Sequence, residues 1–568
     1  MSAVSDRVEF TCDAAPVDVQ VTPGESLLAV LRERLGITSV KDGCAPQGQC
    51  GCCTVLVDGE PRVACVTPAA RVQGRAVTTV GGLDTDVRDR LTDAFVACGA
   101  SQCGFCTPGI VVRAAAVLGR QRGGRVALDR ALAAHLCRCT GWQTIYDAIE
   151  LAGAPAGAGA PRDLEAAARR AGLEGGTRQL VGAGIVLGGG GFADDGPPPD
   201  ALVAVPLPSG SDADAVDAAG ARWVVADSLG EARARAAKVQ GRRTTIDARL
   251  PLPLDDVPAG GVRLATSWVE PAYLEPDASW CAPTDEPATP LANGGAFGGK
   301  ESSIAPAAAR ELADRFGRTV RVVFSREDVV RLGPKRAPIS ATAVLDGTTL
   351  RVRGRIVAGP GASPFVDGTP DASPYAIDVD EQWEPVEVPG PQMCRSRRAA
   401  GLAERAVLLE GALTAAGVDR HALVRDDRAR AVLLDSCAAA PSGAIAGARV
   451  DVDAAGRVER VTVRVAAGDP LDEVVLRSYA IGAAHMALGW VLSEELAVDD
   501  AGVVHDLTIR SFGVIKPKDT PAIEVEVVAD DGPPLARASD AVFAAVAGAT
   551  WNAISDARGA RPESFPAR

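Results

Sequence analysis

Apolar and polar residues alternate over Val8–Cys12 and again over Val17–Val21, the period-two pattern of half-buried strands. The period then lengthens, and Leu27, Leu28, Val30, Leu31 and Leu35 fall on one face of a helix. Thr54–Val57 and Arg62–Val66 return to strand patterning on either side of Asp58-Gly59, a pair suited to a tight hairpin turn. From Asp86 to Leu151 the spacing is helical, with Pro108 where a helix would start. The stretch AGAPAGAGAP at 152–161 reads as a flexible linker. Strand-like alternation resumes beyond it, notably over Gly447–Asp469 and Asp519–Val528. Apolar helices are expected over Ala480–Leu492 and Ala541–Ala549.

Composition narrows the function. At 568 residues the chain has room for about three to five domains. It is acidic, with a net charge of −14 and no basic stripe. That argues against binding nucleic acid, where affinity comes from neutralising phosphates, and against docking on an anionic membrane. The longest apolar stretch, near Ile481–Leu492, contains His485 and falls short of the roughly 20 residues that span a bilayer. The opening MSAVSDRVEF has neither the basic nor the apolar region of a signal peptide, so a cytoplasmic chain is expected. Four histidines leave little scope for a histidine metal cage or for histidine acid–base chemistry.

The cysteines carry the chemistry. Fourteen are present, eleven of them before residue 140. In a cytosolic chain such clustering suggests metal ligation rather than disulfides. One group is Cys44-x5-Cys50-x-Cys52-Cys53-x11-Cys65, the other Cys103-x2-Cys106-x30-Cys137-x-Cys139. Structural zinc favours two C-x2-C pairs or histidine partners. A loop of closely spaced thiols with a distant fourth instead matches the plant-type [2Fe–2S] pattern. Gly43, Gly48 and Gly51 give that loop the freedom to converge on a cluster. Cys12 and Cys98 read as buried free thiols.

The stretches KDGCAPQGQCGCCTVLVDG (Lys41–Gly59), QCGFCTPG (Gln102–Gly109) and CRCTGWQTI (Cys137–Ile145) resemble the two-cluster iron–sulfur module of the xanthine oxidase family of molybdenum hydroxylases. The resemblance implies a first [2Fe–2S] cluster on Cys44, Cys50, Cys53 and Cys65, and a second on Cys103, Cys106, Cys137 and Cys139. The family usually has four residues between its first two cysteines and this chain has five, so Cys52 is the thiol that could replace a neighbour. Weaker likenesses continue in family order: LVGAGIVLGGGGFADD (Leu180–Asp195), DALVAV (Asp200–Val205), an Ala-rich helix over Ala226–Lys238, EPAYLEPDASW (Glu270–Trp280), GGAFGGKES (Gly294–Ser302) and VVFSREDVV (Val322–Val330). In the family the Gly-rich loop brings backbone near the metal, which makes Phe297 and Gly298 cofactor-binding candidates. Gln102 and Cys139 correspond to residues facing the pterin.

The implied fold is α+β and multidomain: a ferredoxin-like β-grasp domain (1–80), a small four-helix [2Fe–2S] domain (81–151), a linker (152–174), a small α/β hammerhead-like domain (175–260) and an abridged molybdopterin-binding-like domain (261–568). The glycines at 182, 184 and 188 space as G-x-G-x-x-x-G rather than as a dinucleotide fingerprint, so no FAD or NAD site is expected.

The catalytic glutamate is where the chain departs from the family. Its K-G-x-G-E-P context has no counterpart; the comparable stretch, Gly532–Val546, contains no Glu, and Asp540 is the nearest carboxylate. A general base must lie within hydrogen-bond reach of its proton, so an acid one methylene shorter can fail on geometry. Helix N-capping is the preferred reading of Asp540. Three functions follow: a small complete molybdenum hydroxylase; an electron-transfer and scaffolding subunit beside a molybdopterin- or FAD-containing chain; or a lobe that lost its cofactor and binds another ligand, a partner or a second copy of the chain.

Overall fold

The computed structural model describes residues 6–120, 124–154, 162–176, 179–208, 213–237, 246–289, 300, 302–358, 373–394 and 400–567. The first sheet has five strands in the order Ala15–Val21, Asp6–Cys12, Ala76–Thr78, Thr54–Val57, Glu60–Val63. Asp6–Cys12 pairs antiparallel with its hairpin partner and parallel with Ala76–Thr78, which gives the β-grasp connection. Across the sheet lies a helical turn, Leu27–Ala29, continued by a π-helical stretch, Val30–Arg34; Leu27, Val30 and Leu31 are fully buried. The Asp58-Gly59 turn has positive φ at both residues, 50° and 76°, as a primed hairpin turn requires. Its second strand ends at Val63, short of the expected Val66. Ala64–Val66 turns into a 3₁₀ helix, and the Cys65 N–H points to Cys53 Sγ at 3.4 Å.

Helices Thr85–Ala97, Thr107–Leu118, Arg125–Leu132 and Gln143–Gly153 form the next unit. Cys106 stands at the N-cap of the second, with Pro108 in its first turn.

A sheet runs across the expected boundary at 260/261. One five-stranded sheet joins Leu202–Pro206, Val216–Ala218 and Ala221–Ala226 to Ala278–Cys281 and Val320–Val323. Parallel pairing of Val320–Val323 with Leu202–Pro206 pulls the later segment into the earlier sheet. Leu180–Leu187 contains a short helix, Ala183–Val186, rather than a strand leading into a glycine turn.

A third sheet runs Asp378–Val386, Thr349–Val357, Ile339–Asp346, Val262–Thr266, Ser564–Phe565. A fourth runs Ser436–Ala439, Ile445–Val452, Val458–Ala466, Ala522–Val527. The long helices Ala400–Ala415, Glu473–Leu492 and Ala538–Arg558 share one apolar core with these strands. Both of the last two are longer than their apolar pattern suggested. Asp472 caps the first, accepting from the Val475 N–H at 2.7 Å. Its apolar window is 89% buried within the protein, so this helix is apolar all round because it is enclosed.

Candidate functional site: two quartets of buried thiols

The first loop gathers Cys44, Cys50, Cys52, Cys53 and Cys65, all buried. Cys44 meets the thiols of Cys50 and Cys65, and Cys65 meets Cys53. The contacts therefore run Cys50–Cys44–Cys65–Cys53, with Cys52 attached only through Cys50. Hydrogen bonds from the Cys50 and Cys65 thiols hold Cys44 well below the ordinary thiol value against its burial, helped by the N–H groups of Gln49 and Gln47. The Gln47 N–H lies 3.1 Å from Cys44 Sγ. Gly48 and Gly51 do have positive φ, 69° and 72°. Gly43 does not; it is needed for room, because a Cβ there would sit 3.0 Å from Cys52 Sγ, 3.1 Å from the Phe105 ring and 3.2 Å from Cys50 Sγ.

The second quartet repeats the arrangement with different elements. Cys139 meets Cys103 at 3.4 Å and also Cys137, which meets Cys106. The contacts run Cys103–Cys139–Cys137–Cys106. In both quartets the outer thiols belong to the C-x2-C pair, Cys50/Cys53 and Cys103/Cys106, and the inner two come from elsewhere in the chain. Cys137 is held below the ordinary thiol value by Cys106 and Cys139 against burial, with Thr140 assisting. Among the described residues no three His, Cys, Asp or Glu side chains gather about one point that would hold a single ion. Four sulfurs in a row of touching pairs fit two irons with two thiolates each, the requirement of a [2Fe–2S] cluster.

The residues expected to face a pterin are engaged by protein. Gln102 Nε2 lies 3.0 Å from both the Cys139 and Ser478 carbonyl oxygens and 3.1 Å from Ser478 Oγ. Ser478 belongs to helix Glu473–Leu492, and a Cβ on its Gly482 would be 1.7 Å from the Cys139 carbonyl. Gln102 Oε1 has no hydrogen-bond partner, but the cleft beside it, lined by Phe95, Ser101, Arg162 and Ile185, holds about 20 Å³. That is space for a water. Among the described residues, the Gln102 amide N–H groups and the Cys139 carbonyl are turned to helix Glu473–Leu492. Phe297 and Gly298 lie outside the described residues.

Asp540 is not the cap expected of it. Helix Ala538–Arg558 begins two residues before it, which puts Asp540, 2% exposed, inside the first turn. Glu174 reaches the open end instead, accepting from the N–H groups of Ala538 at 3.3 Å and Ser539 at 2.9 Å and from Ser539 Oγ at 2.7 Å. A carboxylate is favoured at a helix N-terminus, and Arg170 pairs with it.

Comparison with known proteins decides the family. Residues 79–150 match the model described as a [2Fe-2S] binding domain. The xanthine dehydrogenase iron–sulfur-binding subunit of Escherichia coli is 38% identical over 146 residues, 25% of this chain and 91% of that one. The chain belongs to the xanthine dehydrogenase and aldehyde oxidoreductase family of molybdenum hydroxylases. The nicotinate dehydrogenase small FeS subunit of Eubacterium barkeri is also 38% identical, over 132 residues, 23% of this chain and 83% of that one. The aldehyde oxidoreductase structure from Desulfovibrio gigas aligns over 99% of both chains with a TM-score of 0.75 at 16% identity. That shows the family's α+β multidomain fold across the whole length.

Two features went unread in the sequence. Arg138, between two ligand cysteines, is joined to Glu494 in a buried pair, and Glu174 caps a helix more than 360 residues further on. Glu494 lies just past a helix with no motif around it, and Glu174 sits in an unremarkable amphipathic helix; only the fold brings either to its partner.

Proposed function

We propose that this chain is an iron–sulfur electron-transfer component of an oxidoreductase, with one [2Fe–2S] cluster on Cys44, Cys50, Cys53 and Cys65 and another on Cys103, Cys106, Cys137 and Cys139. The observation that carries this is the identical contact order of the two quartets, built from unrelated local structure. The thiols bind as thiolates, the surrounding core excludes water, and N–H groups such as that of Gln47 offset their charge. A bound cluster would accept and return single electrons.

Substrate oxidation is assigned to a separate molybdopterin-containing chain, with a flavoprotein or carrier as the electron acceptor. Closure of the Gln102–Cys139 face by helix Glu473–Leu492 favours this over a complete hydroxylase in one chain. The setting that goes with this reading is cytoplasmic, where thiols stay reduced and available to iron. Iron and acid-labile sulfide should each approach about four per chain, and dithionite should develop two distinct paramagnetic signals. Zinc in place of iron, or about two irons, would overturn the assignment. Native mass measurement on protein from its own cells tests the partner: a lone chain would refute it.

A further inference from the structure

Arg138 stands between Cys137 and Cys139, so its guanidinium is tied to the second quartet by one residue on either side. Its side chain is 3% exposed, and it does not reach solvent. Nη1 lies 2.5 Å from Glu494 Oε1 and Nη2 2.7 Å from Oε2, a bidentate pair, while Nε donates to the Pro271 carbonyl at 2.9 Å. Glu494 is 2% exposed and follows helix Glu473–Leu492. The chain keeps space for this carboxylate: a Cβ on Gly489 would lie 2.1 Å from Glu494 Oε1. His485 also faces this region, but burial and then Arg138 push it down to about 4, so near neutral pH it adds no charge. The charges placed beside the second quartet by this arrangement are one buried cation from the iron–sulfur module and one buried anion from the C-terminal lobe.

We propose that the C-terminal lobe tunes the second cluster through this pair: Glu494 offsets the Arg138 charge and so sets how readily the cluster is reduced. The inference rests on the second quartet binding a cluster. Reduction adds negative charge to a buried site, where a nearby unmatched charge is weakly screened. An unopposed Arg138 therefore favours the reduced form, and an unopposed Glu494 favours the oxidised form. The charged pairs beside the first quartet, Lys41–Asp195 and Arg233–Asp42, are untouched by changes at Arg138 and Glu494. Arg138 and Glu494 are positioning residues; neither binds iron.

The test is reductive titration of the full chain, following the two paramagnetic signals separately. Glu494→Gln should raise the midpoint potential of the second signal, and Arg138→Gln should lower it. About a tenfold change in the reduction equilibrium is expected in each direction. The double variant should return close to wild type, and the first signal should stay put throughout. A structural role alone would move both single variants the same way or not at all, and that result would overturn the inference. If either glutamine variant loses its cluster, Arg138→Lys and Glu494→Asp take their place. Both keep the charges, so both should keep the wild-type potential; a shift as large as that expected of the neutral variants would count against the proposal. A wild-type chain with no second signal would overturn the cluster assignment, and the inference with it.

Discussion

The first quartet sits in a loop edged by charge, the second under an apolar helix, and the C-terminal lobe grips them differently. Beside the first, Lys41 donates to the Gly188 carbonyl at 2.9 Å and pairs with Asp195, Arg32 pairs with Asp194 at 2.9 Å, and Arg321 bridges Glu33 and Asp194 at 2.6 and 2.8 Å. Arg32, Glu33, Asp194, Asp195 and Arg321 border a cleft of about 50 Å³ that reaches Ala45, Pro46 and Phe105. Beside the second, backbone meets backbone: Gly482 abuts the Cys139 carbonyl and Gly141 abuts that of Ile481. A charged, hydratable joint absorbs small displacements through side chains. A joint whose closest contacts are backbone on backbone gives less than one made by side chains alone, even with the Arg138–Glu494 and Gln102–Ser478 links beside it, so the second quartet depends more strictly on the lobe's position.

The largest expected effects separate the quartets from one another. Cys106→Ser should remove one cluster and leave the first intact, and Cys53→Ser should do the reverse, because the thiol contacts of each quartet are closed among its own members. Each variant should lose about half its iron and one of the two signals. Loss of both signals from either variant would mean that the quartets form one cooperative unit.

Gly482→Ala comes next. Alanine is ordinarily the better helix former by about 1 kcal/mol. Here its methyl would meet the Cys139 carbonyl at 1.7 Å, so the helix must shift. Overpacking of this kind costs about 1–3 kcal/mol or more. We expect a lower unfolding midpoint and a perturbed second signal beside an unchanged first. An unchanged second signal would show that the joint is softer than its contacts imply.

These contacts also show why some of the molecule was legible in the sequence and some was not. Cys44, Cys50, Cys53 and Cys65 lie within one short loop and its hairpin, so they are close along the chain, while the choice of these four over Cys52 is what the family resemblance implies. The β-grasp strands and the helices after Asp84 follow from local periodicity. Helix Ala538–Arg558 was foreseen only in its middle, because its N-terminus is satisfied by Glu174 from a distant helix and not by a local capping residue. The sheet that runs across 260/261 was hidden for the same reason: the pairing of Val320–Val323 with Leu202–Pro206 is set by tertiary contact. What the sequence hid is the lobe's grip on the module, which is made of long-range partners with no spacing rule.

A pH series sharpens the contrast at the charged joint. Glu275 lines the cleft beside the first quartet, and burial pushes its carboxyl up to about 7, against the pull of Lys300 at 3.1 Å. A carboxyl raised on folding contributes stability that is fully present below its unfolded value, near 4.5, and is lost as the pH rises to about 7. The loss is on the order of 2–3 kcal/mol. Thermal melts between pH 5 and pH 8 should therefore fall more steeply for wild type than for Glu275→Gln. Parallel slopes for the two proteins would place the carboxyl's ionisation elsewhere.

The smallest expected effect is that of Cys52→Ser, and it sharpens the comparison most. The second quartet has no spare thiol, so its contact order shows what four ligands look like without ambiguity. Imposed on the first loop, that order is Cys50–Cys44–Cys65–Cys53. It leaves Cys52 as a side branch that touches only Cys50 among the thiols and lies 3.9 Å from the Cys50 carbonyl. Cys52 also faces the other quartet: Cys103 is among the charges that raise its thiol, and its own charge raises that of Cys106. It is therefore a buried thiol between the two sets, packed against Gly43 and within reach of the Phe105 ring's neighbourhood. Serine keeps its size to within one atom, so we expect near-wild-type iron content and an unaltered pair of signals. If Cys52→Ser instead bleaches the first signal while Cys53→Ser spares it, the extra residue after Cys44 has shifted the ligand register by one, and the matched order of the two quartets is coincidental.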